Sequence, residues 1–175
     1  MNPGSKLIVE NNWIETRLPD MSGVGLSIQG AGGSRYTNNV FIGMNQGLFG
    51  LKSTGPNNDP HFIWHNTFIL SGTSNAAAIW CSANNQLDFA NNLFVNSTIP
   101  WWDRQFGTSN CWNEAGQLFS GDIDSLGLEN PSIGHLWPVA GSVLIDQGAN
   151  TSPTILTDFF GHFRTTNEPG AFAVK

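Results

Sequence analysis

Between residues 9 and 94 the apolar positions come in short runs that break at one recurring place. "VENNWI" (9–14), "YTNNVF" (36–41), "IWHNTF" (63–68) and "FANNLF" (89–94) each set a polar pair between apolar residues. Asparagine is a poor strand former and costly to bury without hydrogen-bond partners, so a pair of them inside a hydrophobic run needs an explanation. Aligned on the second asparagine, the segments place Asn12, Asn39, Asn66 and Asn92 at steps of 27, 27 and 26 residues. A degenerate fifth copy follows at "GQLFSG", where Gln117 takes the asparagine position 25 residues further on. A period of this size marks a solenoid.

The columns around the asparagine are apolar. Two places after it stand Ile14, Phe41, Phe68 and Phe94, and three places before it stand Val9, Tyr36, Ile63 and Phe89. Each run is too short for a helix and fits a short strand. A second turn column precedes the strands at "GAGG" (30–33), "GPNND" (55–59), "ANN" (83–85) and "TSN" (108–110), with the apolar stretches "VGLSIQ", "GLFGLK" and "AAAIWC" between the two turns. Short strands with fixed turns, repeated about every 26 residues, predict a coil whose successive copies stack at about 4.8 Å, the spacing of paired strands. Equivalent asparagines then lie above one another at a bend. Each amide has a donor and an acceptor, so the column can hydrogen-bond along the stack. On this reading the asparagines serve structure.

The expected fold is all-β: a single domain over 1–175, forming a right-handed parallel β-helix (solenoid) of about five coils. The coils span about 6–125 and an irregular C-terminal tail, about 126–175, packs along or over them. At 175 residues the chain is long enough for one real core. Only 11% of residues are charged, and the net charge is −6, without a basic cluster. That composition argues against nucleic acid and against an anionic membrane surface as partners. No apolar run is long enough to span a bilayer, and "MNPGSKLIVE" lacks the pattern of a secretory signal. Location stays open: extracellular or periplasmic if a signal precedes this sequence, cytoplasmic otherwise. Cys81 and Cys111 fit no disulfide scaffold and no zinc spacing, and no cofactor is expected.

With its "NNxF" steps, the chain resembles the right-handed parallel β-helix superfamily that includes pectate lyases and related polysaccharide-acting proteins. Residues 141–173, "GSVLIDQGANTSPTILTDFFGHFRTTNEPGAFA", are similar to the tail that closes many bacterial β-helix proteins. There a "GSPAIDAG" element, a "DxDGxxR" element and a "DIGAYE" element follow one another; here the matching stretches are Gly141 to Gly148, Asp158 to Arg164 and Glu168 to Ala173. The resemblance implies the fold and a connection with polysaccharide. Polysaccharide lyase or glycosidase chemistry is implied by it alone, since one architecture hosts many functions.

Strand parity places two columns on the outer face: Glu10, Thr37, Trp64 and Ala90, and Ile8, Arg35, Phe62 and Asp88. Trp64 and Phe62, flanked by Arg35 and Asp88, would offer aromatic faces to sugar rings and charged groups to hydroxyls or uronates. The alternative is that a loop, the tail or a partner covers these aromatics. "IPWWDRQF" (99–106) is the second candidate. Trp101 and Trp102 cannot both face inward, and Asp103 and Arg104 beside them form either part of a sugar site or a plain surface pair. "DPH" (59–61) spans a turn, "DIDSLG" (122–127) lacks the last ligand of a calcium loop, and "GVG" (23–25) opens no helix. Glu10 and Asp88 stand about 14 Å apart along the stack, too far for a carboxylate pair, so no complete catalytic set emerges.

Carbohydrate binding or processing, with uronate polymers among the candidate polysaccharides, is the leading expectation, and it rests largely on the resemblance. The alternative is a non-catalytic structural or assembly module whose aromatic face meets protein. The first coil, from Lys6 to about Gln29, should leave an unpaired sheet edge. That edge implies either a longer β-helix upstream or self-association, as a homodimer joined two-fold through the open N-terminal ends.

Overall fold

The computed structural model describes residues 6–16, 24–27, 33–44, 46–51, 61–70, 77–81, 87–96, 99–103, 112–115, 118–150, 155–165 and 167–174. For 24–27, 46–51, 77–81, 87, 99–103, 112–115 and 119 it describes the backbone alone. Strands β1 (Ile8–Glu10), β2 (Trp13–Glu15) and β3 (Val24–Ser27) form the first repeat. The second holds β4 (Arg35–Thr37), β5 (Val40–Ile42) and β6 (Gln46–Leu51); the third holds β7 (His61–Trp64), β8 (Thr67–Ile69) and β9 (Ala77–Cys81). β10 (Leu87–Ala90), β11 (Leu93–Val95) and β12 (Ile99–Asp103) form the fourth, and β13 (Trp112–Ala115) and β14 (Leu118–Ser120) the fifth.

The architecture is all-β, and among the described residues there is no α-helix. Three sheets run in the orders β1-β4-β7-β10-β13, β14-β11-β8-β5-β2 and β12-β9-β6-β3, and every pairing within them is parallel. Each strand thus pairs with its counterpart one repeat away, an arrangement compatible with a β-helix. The register follows the sequence columns: Val9, Tyr36, Ile63, Phe89 and Glu114 lie in one row and Ile14, Phe41, Phe68, Phe94 and Phe119 in another. Parallel in-register pairing holds identical side chains one strand spacing apart. Phe41 and Phe68 accordingly stack at 5.0 Å and 4°, and Phe68 and Phe94 at 5.3 Å and 6°.

The two asparagines of each pair have different work. The first takes the left-handed conformation, with φ of 58° at Asn11, 55° at Asn38, 53° at His65 and 55° at Asn91. Asparagine and histidine enter that region more readily than other side chains, which is why His65 can replace asparagine there. The second forms the ladder: Asn12 Nδ2 donates to Asn39 Oδ1 at 3.0 Å, Asn39 to Asn66 at 2.9 Å and Asn66 to Asn92 at 3.0 Å. Gln117 and most of the second turn column lie outside the described residues, as do Asp59, Pro60 and Cys111.

The tail begins with a 3-10 turn at Asp124–Leu126, inside the "DIDSLG" segment, where Asp122 Oδ1 accepts the Asp124 N–H at 2.9 Å. β15 (Leu128–Asn130) and β16 (His135–Pro138) then pair antiparallel around a second 3-10 turn, Pro131–Ile133. These segments cover the outward face of the β2–β14 sheet. Leu136, Ala171 and Phe172 bury Val40, while Leu126 and Leu144 bury Leu93 and Val95, with Ile42 and Ile69 at the edges. One sheet therefore has a hydrophobic layer on both faces.

Candidate functional site

The outer face of the first sheet brings Arg35, Phe62 and Asp88 into one row and Thr37, Trp64 and Ala90 into the next. Arg35 is ion-paired with Glu10, both half-exposed, and Thr37 Oγ1 donates to the same carboxylate oxygen at 3.1 Å. The expected exposure of Trp64 is corrected: only 1% of it is accessible. Its flanking residues Thr37 and Ala90 are buried with it, Phe62 packs edge-on at 4.9 Å, and the indole N–H donates to Asp88 Oδ1 at 3.2 Å. A buried indole with a paired N–H packs the sheet surface instead of presenting a ring to solvent. Trp101, Trp102 and Asp103 lie on β12 opposite Ile79, Trp80 and Cys81, where the backbone alone is described, and Arg104 lies outside the described residues.

Beside this corner runs a polar seam that sequence reasoning missed. The tail attaches to the left-handed residues directly after Thr37, Trp64 and Ala90. Asn38 Nδ2 donates to the Thr157 carbonyl at 2.9 Å. Asn91 donates to the Ala149 carbonyl at 2.8 Å, accepts the Ala149 N–H at 2.7 Å, and its own carbonyl accepts the Gly170 N–H at 2.7 Å. His65 bridges the Glu168 carbonyl and the Asn91 amide, each at 3.1 Å. The Asn91 Nδ2 group is a donor, so His65 Nε2 accepts and Nδ1 holds the proton that goes to Glu168. The imidazole is neutral. Burial pushes its pKa down to about 3, and the Arg164 guanidinium adds to the depression.

Arg164 is the hub of the seam. Its terminal nitrogens donate to Asn38 Oδ1 at 3.1 Å and to the carbonyls of Gly170, Phe172 and Glu168 at 2.9, 3.3 and 3.4 Å, and it pairs with the fully buried Glu168 carboxylate at 3.6 Å. Burial draws its pKa down to about 10, opposed by the Glu168 and Asp158 carboxylates. The "DxDGxxR" resemblance contained Arg164 but not its partner Asn38, which lies 126 positions earlier in the chain. Asp158, also buried, accepts the N–H groups of Phe160 at 2.9 Å and His162 at 2.8 Å on one oxygen and that of Ala173 at 3.3 Å on the other. Those bonds shape a loop that lifts Phe160 to the surface, 54% exposed.

Phe160 forms one wall of a cleft of about 370 Å³, lined by Trp137, Asp158, Phe160, His162, Ala173 and Val174. Trp137 meets Phe160 edge-on at 5.4 Å, and His135 stacks on Trp137 at 4.9 Å. His162, with its side chain 67% exposed, points Nδ1 at Asp158 Oδ2 across 3.4 Å. The cleft thus offers aromatic faces, one imidazole edge and no Lys or Arg among its lining residues. Its one carboxylate is already occupied by backbone donors and His162, so the arrangement suits binding more than acid–base work. Among the described residues no group of three or more His, Cys, Asp or Glu is placed to hold a metal, and no helix is long and apolar enough to cross a membrane.

Comparison with family models, with curated proteins and with solved structures finds no match to this chain.

Proposed function

We propose that the chain is a right-handed parallel β-helix of about five coils, pectate-lyase-like in kind, that binds a polysaccharide through the aromatic cleft of its tail. The observation behind this is the cleft itself: Trp137 and Phe160 hold faces at an angle to each other beside His162, in a volume of about 370 Å³. Aromatic rings stack on the apolar faces of sugars, and an imidazole at the edge can hydrogen-bond a hydroxyl. With no cation on its walls, the cleft fits a neutral sugar better than a uronate. The three sheets of repeat-spaced parallel strands support the β-helix reading. The half-exposed row of Arg35 and Phe62 is the comparison surface for this assignment.

Calorimetric titration with neutral and uronate oligosaccharides tests it. Trp137→Ala and Phe160→Ala should each weaken binding by at least about tenfold, or about 1.4 kcal/mol, with Phe62→Ala close to the parent. Equal binding by the cleft variants would move the site elsewhere. Silence toward every glycan, with association through the same aromatics, would assign the face to a protein partner.

A further inference from the structure

The asparagine ladder has a direction. At each step the backbone N–H and Nδ2 of one asparagine donate to Oδ1 of the asparagine one repeat later, at 3.1 and 3.0 Å from Asn12 to Asn39 and at 3.0 and 2.9 Å from Asn39 to Asn66. Every Oδ1 therefore faces the preceding repeat. The later asparagines also reach back to a carbonyl of that repeat, Asn39 to Val9 at 2.9 Å and Asn66 to Tyr36 at 2.9 Å. Asn12 donates to Glu10 of its own repeat instead, at 2.9 Å, and its Oδ1 accepts no hydrogen bond among the described residues.

The strand beside it is open in the same sense. The Leu7 carbonyl and the Asn11 N–H bond to Arg35 and Thr37 of the second repeat. Alternation along a parallel strand then turns the N–H and C=O groups of Ile8 and Glu10 to the other side. No further strand lies there among the described residues, and Ile8 is 60% exposed. At the opposite end of the same sheets β13, β14 and β12 also pair with nothing beyond them among the described residues.

We propose that the β1–β2 edge takes a second copy of this chain stacked head-to-tail, with its β13 and β14 running parallel to β1 and β2. Such a contact continues the register that already joins β1 to β4, β4 to β7, β7 to β10 and β10 to β13. It turns the Asn12 Oδ1 toward the last repeat of the second copy. A two-fold pairing of the open ends through β1 would run that strand antiparallel to its copy and so would not continue this register. A head-to-tail contact of this kind does not close on itself, so association is open-ended.

Sedimentation velocity of the whole chain over a dilution series tests the proposal, together with hydrogen exchange at Ile8 and Glu10. The expected result is a mean mass that climbs past the dimer without a plateau, with both amides protected as concentration rises. Ile8→Pro removes an edge-facing N–H and none of the bonds to β4, so it should stay monomeric with an unchanged melting temperature. Ile8→Lys, which leaves the backbone intact and puts a charge on the edge, should do the same and stands in if the proline variant does not fold. A mass that stops at the dimer, or a parent chain that is monomeric at every concentration, overturns the proposal.

Discussion

Two histidines and one asparagine show how single residues answer to their surroundings. Asn66 is fully buried and sits mid-ladder, so Asn66→Leu deprives the Asn39 N–H and Nδ2 of their acceptor and the Asn92 Oδ1 and Tyr36 carbonyl of a donor. An orphaned buried polar group costs about 1–3 kcal/mol, so a loss of at least about 2 kcal/mol is expected in urea unfolding. Asn12→Leu, at the exposed end, should lose clearly less. Equal losses at the two positions would contradict a buried ladder. His61 and His65 make stability depend on pH. Both are buried; burial holds the first at about 4 and, with Arg164, the second at about 3, against about 6.5 in an unfolded chain. As pH falls below about 6.5 the unfolded chain takes up protons that the folded one refuses, so stability drops by up to about 1.4 kcal/mol per pH unit for each histidine. The decline ends at about pH 4 for His61 and about pH 3 for His65. Urea midpoints at pH 7 and pH 5 measure it. A midpoint that does not move would show that the two imidazoles are hydrated in the native state.

The tail is the element whose docking decides the surface. Arg164 satisfies three carbonyls, the Asn38 amide oxygen and a buried carboxylate at once, a task for which a guanidinium fork is suited and a lysine ammonium is not. Arg164→Lys should therefore destabilise nearly as much as Arg164→Met. Removing one partner of a buried pair typically costs about 3–5 kcal/mol. Hydrogen exchange of residues 156–173 should accelerate in both variants. Full rescue by lysine would mean that charge alone holds the tail. Gly170 tests the same docking from the backbone side: it has φ of +100°, and a Cβ there would come within 2.9 Å of Thr67 Oγ1 and 3.3 Å of Leu93 Cβ. Gly170→Ala combines strain with a clash, and should loosen the tail while the ladder stays intact.

For the whole molecule, the shared hydrophobic layer couples tail and stack. If the tail left, Val40, Leu93 and Val95 would face water together with the undersides of Leu126, Leu136 and Phe172. Separating the two parts would expose this layer on both, so urea unfolding should be a single cooperative transition. Amides of the ladder strands and of the tail should then report the same midpoint in exchange measurements. An earlier, separate release of the tail would show that the stack stands by its own contacts.

The order of residues determined the repeat and its register. An asparagine pair every 26 or 27 positions sets the bend, and strand parity then assigns each neighbour to the inner or outer face. These are local rules, so the inward rows of Tyr36, Ile63 and Phe89 and of Phe41, Phe68 and Phe94 were legible in advance, as was the asparagine ladder. Parity says which way a side chain leaves the strand but not whether a distant segment lies over it. Trp64 faces outward as expected and is nevertheless buried. The seam beside it joins residues 103 and 126 positions apart, His65 to Glu168 and Asn38 to Arg164. The first asparagine of each pair gave a reason to be at a left-handed bend but no sign of its second task. Arg164, Glu168 and Asp158 look like surface charges until burial forces each to find partners. Trp137, Phe160 and His162 lie scattered over 26 residues with no period, and only the loop folded around Asp158 brings them to one cleft. Tertiary structure alone decided which faces stay open, because covering a surface depends on long-range contacts that no periodicity along the chain encodes.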